Sequence, residues 1–128
     1  MAQKTIVYIE DEPYAREPLA KLIRIWGYDC LEYDSAVDFL KEDNLAAPAL
    51  YICDLNLQDM RALEFCDELK RQNVLRPFII TSGFIDQGAI EYVAKHEVAF
   101  STSPITIMQK PLKLPEFRDT IQRMLGDA

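Results

Sequence analysis

At 128 residues the chain has room for one domain, with a core that needs no disulfide or metal staple. A formal net charge of −7 disfavours contact with a nucleic-acid backbone or an anionic membrane. Apolar residues at 49% and charged residues at 27% are the proportions of a soluble globular protein.

The elements alternate along the chain. Residues 5–9 (TIVYI) are apolar, β-branched and aromatic, the pattern of a strand buried on both faces. Ala15, Leu19, Leu22, Ile23 and Trp26 then recur at helical spacing, with Gly27 as a natural stop and Pro18 inside the stripe predicting a late start or a kink. Residues 28–33 predict a second, more alternating strand. Ser35 followed by Asp38 is a capping-box-like opening for a short helix through Phe39 and Leu40. A third strand follows at 49–53 (ALYIC), a helical stripe at Leu63, Cys66 and Leu69, and a fourth strand at 77–80 (PFII). Ile90, Val93 and Ala94 mark a further helix, 105–108 (ITIM) a fifth strand, and Leu114, Phe117, Ile121 and Leu125 a closing amphipathic helix.

Strands that alternate with helices pair in parallel through right-handed crossovers. The expected fold is therefore an α/β sandwich around a doubly wound, five-stranded parallel sheet of flavodoxin-like type, filling residues 1–128 as one domain. Cys30, Cys53 and Cys66 lack metal-ligand spacing and are expected to be small buried hydrophobes in a reducing compartment. No apolar run reaches membrane-spanning length and no signal region opens the chain, so a cytoplasmic location without membrane contact is expected.

In such sheets ligands bind beyond the carboxyl ends of the strands. Glu10, Asp11 and Glu12 follow the first strand, Asp54 the third, Thr81 and Ser82 the fourth, and Lys110 with Pro111 the fifth. Three adjacent carboxylates repel one another, and more strongly where protein excludes water. A solvated acidic turn accounts for such a triplet taken alone. An acid cluster facing a lone lysine across one rim points instead to a site that holds something positive.

The set Glu10–Asp11, Asp54, Thr81 and Lys110–Pro111 resembles the receiver domain of two-component response regulators, over essentially the whole chain. The resemblance implies that Asp54 accepts a phosphoryl group from a histidine kinase or phosphotransfer protein. It implies that Glu10 and Asp11 help hold a divalent cation, that Thr81 is the switch hydroxyl, and that Lys110 contacts the phosphoryl group. A cis peptide is expected before Pro111. The backbone carbonyl of Asn56 would join the cation's ligands. An all-oxygen donor set favours Mg²⁺ over zinc, with Glu10 acting directly or through water. Glu12 is left as a solvated turn residue. The phosphoryl switch would act on an output domain or effector protein and catalyse at most its own phosphorylation and dephosphorylation.

The chain also departs from that pattern. Gln58 and Ala62 stand where receivers commonly carry Pro and Gly, so Ala62 would be strained if a positive φ were needed there. Ile107 occupies the usual aromatic switch position. Residues 96–104 (HEVAFSTSP), with Phe100, read as an extra segment that forms part of the output surface or else a plain loop. Two other readings stand beside the active switch. One is a receiver-shaped interaction module that does not cycle phosphate. The other is an aspartyl-phosphate phosphatase of the haloacid-dehalogenase type, which wants a second Asp where Asn56 stands.

Overall fold

Both faces of the central sheet are buried, and the strand residues divide between them by parity. The computed structural model describes residues 3–45, 47–99 and 104–126. Its elements run β1 (Thr5–Ile9), α1 (Pro13–Ile25), β2 (Asp29–Tyr33), α2 (Ala36–Leu40), β3 (Leu50–Asp54), α3 (Ala62–Arg71), β4 (Phe78–Ser82), α4 (Gln87–Ala99), β5 (Ile105–Gln109) and α5 (Leu114–Leu125). The strands are parallel, in the order β2-β1-β3-β4-β5. Ile6, Tyr8, Leu50, Ile52 and Ile79 face one layer with Ala20 and Ile23 of α1 and Phe117, Ile121 and Leu125 of α5. Val7, Ile9, Tyr51, Cys53, Phe78 and Ile80 face the other, against Phe39 of α2, Phe65, Cys66 and Leu69 of α3, and Ala89 of α4. That alternation is the period of the extended chain. Phe39, Tyr51, Phe65 and Phe78 fill the second layer, with ring centroids 5.6 to 5.9 Å apart.

Two helices end in the same hydrogen-bonded turn. After α1, the Gly27 N–H donates to the Arg24 carbonyl and the Tyr28 N–H to that of Ile23, with Gly27 at φ 101°. After α3, the Asn73 N–H donates to Lys70 and the Val74 N–H to Leu69, with Asn73 at φ 60°. Both are left-handed caps that satisfy the last helical carbonyls. The α1 cap is the stop predicted at Gly27; the α3 cap uses asparagine, which tolerates that conformation better than most residues.

Several expectations change. Helix α1 starts at Pro13, where a missing N–H is harmless, and continues through Pro18 as one element rather than starting late. Asn73 is the sole positive-φ non-glycine among the described residues, so Ala62 needs no strained backbone and opens α3 directly. Helix α4 packs through Ala89, Tyr92, Val93 and His96, while Ile90 is 50% exposed. Val93 packs as the stripe predicts, whereas Ile90 and Ala94 face away, because the small Ala89 rather than the larger Ile90 faces the sheet. Residues 96–99 belong to α4, so the proposed extra segment is in its first half a helix end. Phe100 lies outside the described residues. All three cysteines are free and buried. Burial pushes the Cys30 thiol up to about 12 and raises those of Cys53 and Cys66 as well.

Asn73→Val should lower stability by about 1–2 kcal/mol through left-handed strain, whereas Asn73→Gly should be neutral or slightly stabilising. Urea unfolding of the two variants checks this; equal losses would remove the cap from the account.

Candidate functional site

The winding of the sheet reverses between β1 and β3, which opens a crevice at their carboxyl ends. Glu10 and Asp11 leave β1 there, Asp54 ends β3, and Lys110 follows β5. The resulting cleft is lined by Glu10, Asp11, Glu12, Asp54, Asn56 and Gln58 on one side, and by Ser82, Gly83, Phe84 and Lys110 on the other.

At its centre the Lys110 Nζ lies 2.8 Å from Asp54 Oδ1 and 2.9 Å from Glu10 Oε2. Sheet pairing sets that position, because the Lys110 N–H donates to the Ser82 carbonyl at 2.8 Å, one step beyond the end of β5. Glu10 is almost wholly buried, at 1% exposure. Burial raises its carboxyl above the ordinary range, the Lys110 hydrogen bond opposes that, and the Asp54 charge adds to it. Burial would lower the Lys110 ammonium, but hydrogen bonds to Asp54 and Glu10 outweigh it and hold the group above the usual lysine value. The peptide before Pro111 is cis, as the resemblance implied.

Thr81 pairs with Asp54 in the β3–β4 register. Its hydroxyl is fully buried, has no hydrogen-bond partner among the described residues and is absent from the cleft lining. Ser82 is committed elsewhere: its Oγ accepts the Phe84 N–H at 3.1 Å and donates to the Phe84 carbonyl. Glu12 is exposed at the cleft rim and occupies the N-cap position of α1 without a side-chain capping bond, its carboxylate accepting from the Tyr14 hydroxyl.

The loop after Asp54 is held on three sides. The Gln58 N–H donates to Asp11 Oδ2 at 3.1 Å. Asp59 Oδ2 accepts from Ser35 Oγ at 2.6 Å and the Val37 N–H at 3.1 Å, so it reinforces the predicted Ser35 cap of α2 from a distance. Arg61 bridges Asn56 in a short antiparallel pair and reaches Asp86 at 2.9 Å. Asp86 in turn accepts the Ala89 N–H and caps α4. Backbone hydrogen bonding from Ala89, ahead of the Arg61 contact, depresses the Asp86 carboxyl. These ties supply the order that a Pro and a Gly would otherwise give.

Sequence reasoning missed one residue near the cluster. Arg16 donates to the Glu10 carbonyl at 2.7 Å and pairs with Glu32 at 3.3 Å. Its only signal is a basic residue about one turn into a helix that follows an acidic loop.

The oxygen donors of the cleft suit a hard divalent cation that keeps much of its water. Among the described residues, three carboxylates do not close into a preformed cage. The ammonium of Lys110 stands within ion-pair distance of both Glu10 and Asp54.

On one rim of a doubly wound sheet an aspartate ends the third strand and a lysine follows the fifth, the arrangement that the resemblance to receiver domains implies. The model of the response regulator receiver domain matches residues 6–122, and the chain belongs to that family. It is 27% identical over 127 residues to the polar-differentiation response regulator DivK of Brucella ovis, covering 98% of each chain. In fold it is similar to a CheY-like receiver domain from Methanospirillum hungatei, with a TM-score of 0.83 at 15% identity, covering 97% of this chain and 94% of that one. It is likewise similar to the chemotaxis protein CheY4 of Vibrio cholerae, with a TM-score of 0.81 at 17% identity, covering 97% of this chain and 100% of that one. The protein is thus a phosphoaccepting signalling switch of the receiver family, and no helix among the described residues is long and apolar enough to cross a membrane.

Lys110→Met should leave the buried Glu10 facing Asp54 without a counter-charge, costing about 2–3 kcal/mol in the metal-free domain at neutral pH. Without the ammonium the Glu10 carboxyl rises further. A carboxyl raised by folding is protonated preferentially in the folded state, so the variant's deficit should shrink as pH falls through that raised value. Urea unfolding in chelator across mildly acidic to neutral pH measures it; a deficit that widens on acidification would contradict the assignment.

Proposed function

We propose that Asp54 is the phosphoacceptor and that Glu10, Asp11, Asp54 and the Asn56 carbonyl hold Mg²⁺ beside it. The observation that carries this reading is the Lys110 ammonium within hydrogen-bond distance of both Asp54 and Glu10. An Asp54 oxygen attacks the phosphorus of a phosphohistidine. The P–N bond breaks, and its electron pair leaves on the imidazole. Lys110 then exchanges a carboxylate contact for a phosphoryl oxygen, which carries more negative charge. Bound Mg²⁺ supplies charge neutralisation between the acidic rim and the anionic donor. Thr81, buried without a hydrogen-bond partner among the described residues, is the hydroxyl available to follow the phosphoryl group.

The donor is a histidine kinase or phosphotransfer protein, and the recipient of the signal an output domain or effector protein. We place the protein in the cytoplasm, with residues 1–128 acting as one domain that catalyses its own phosphorylation and dephosphorylation. Family membership leaves the phosphatase alternative without support. Gln58, Ala62 and Ile107 keep the interaction module as the second reading, and the same experiment separates the two.

With Mg²⁺ and a small phosphodonor, intact-mass measurement should find one phosphoryl group on the wild type and none on Asp54→Asn. Equal labelling of both would move the acceptor elsewhere, and no labelling of the wild type would favour the interaction module. Magnesium in the millimolar range, about the regime of a water-rich site, should raise the melting temperature relative to chelator. An unshifted melt would contradict the cation site.

A further inference from the structure

Asp11 differs from its neighbours in how it is held. Glu10 and Asp54 both pair with the Lys110 ammonium, whereas Asp11 has the backbone N–H of Gln58 as its one hydrogen-bond donor among the described residues. Both residues line the cleft, and they reach it from different loops. The loop bearing Gln58 is not free to drift, since Asp59 ties it to the start of α2 and Arg61 ties it to Asp86 at the start of α4.

We propose that Gln58 is a positioning residue of the cation site, its backbone N–H fixing one oxygen of the Asp11 carboxylate and leaving the second available to the cation. This rests on the reading of Glu10, Asp11, Asp54 and Asn56 as the Mg²⁺ site. The amide is neutral, so its contribution is orientation rather than charge. A carboxylate already held in one rotamer gives up less conformational freedom when it takes a ligand. The donor belongs to the main chain, so every residue except proline can provide it. Because Asn56 and Gln58 share one loop, the same bond makes occupancy at Asp11 felt where the Asn56 carbonyl sits.

The test is a Mg²⁺ titration of the intact domain by calorimetry. Gln58→Pro, which deletes the N–H, should bind Mg²⁺ about tenfold more weakly, while Gln58→Ala, which keeps it, should restore wild-type affinity. A second arm needs no proline variant to fold. In amide-resolved NMR the Gln58 N–H should resist solvent exchange in the wild type, with and without Mg²⁺, and lose that protection in Asp11→Ala. Equal affinities for Gln58→Pro and Gln58→Ala overturn the inference while leaving the cation site intact. So does a Gln58 amide that exchanges like an open one in the wild type. A wild-type domain that binds no Mg²⁺ overturns the site reading itself, and this inference with it.

Discussion

The Lys110 ammonium between Glu10 and Asp54 is the interaction on which the functional rim depends. Two unit charges about 4 Å apart repel by about 4 kcal/mol at an effective dielectric near 20, a large fraction of the stability of a small domain. A lysine delivered from the edge strand neutralises that repulsion before any metal or phosphate arrives. Its placement is inherited from the sheet, because the main-chain bond from Lys110 to Ser82 continues the β4–β5 ladder one step past the last strand residue. Position is thus set by backbone pairing, and only the final reach by a flexible side chain.

A second constraint follows from the acceptor loop. Two of the tethers that fix the loop, through Asp59 and through Arg61 to Asp86, also serve a helix terminus. Asp59 bonds an N–H of the first turn of α2, and Asp86 bonds an N–H of the first turn of α4. Negative charge is favourable at both places, since the helix dipole and the unpaired amides point there. Loop order and helix capping are therefore not separable in this chain: a substitution at Asp59 or Asp86 acts on both.

The sheet was legible because its signal is dense. Val7, Tyr8, Ile9, Tyr51, Ile52, Ile79 and Ile80 are apolar and strand-favouring, and no rival pattern competes. The site was legible for a different reason: strand ends are fixed by the fold, so Glu10, Asp54 and Lys110 had to meet at one rim. What the sequence hid depends on spatial partners. The phase of α4 turned on whether Ala89 or Ile90 met the sheet; the alanine is the one in the core cluster, a choice that hydropathy does not record. The Asn73 cap lay in a residue that also suits ordinary loops. The tether from Gln58 to Asp11 spans 47 positions and uses a main-chain atom, so no side-chain pattern records it.

The buried thiols carry a practical consequence. A cysteine reacts as its thiolate, and burial keeps all three protonated and sterically shielded in the folded domain. Alkylation therefore proceeds only through excursions that expose them, and its rate becomes a clock for those excursions. The three are also sorted by layer: Cys30 of β2 packs in the layer of α1 and α5, and Cys53 of β3 with Cys66 of α3 in the layer of α2, α3 and α4. Peptide-resolved alkylation would accordingly time the parting of each layer from the sheet separately, with no foreign label in the chain.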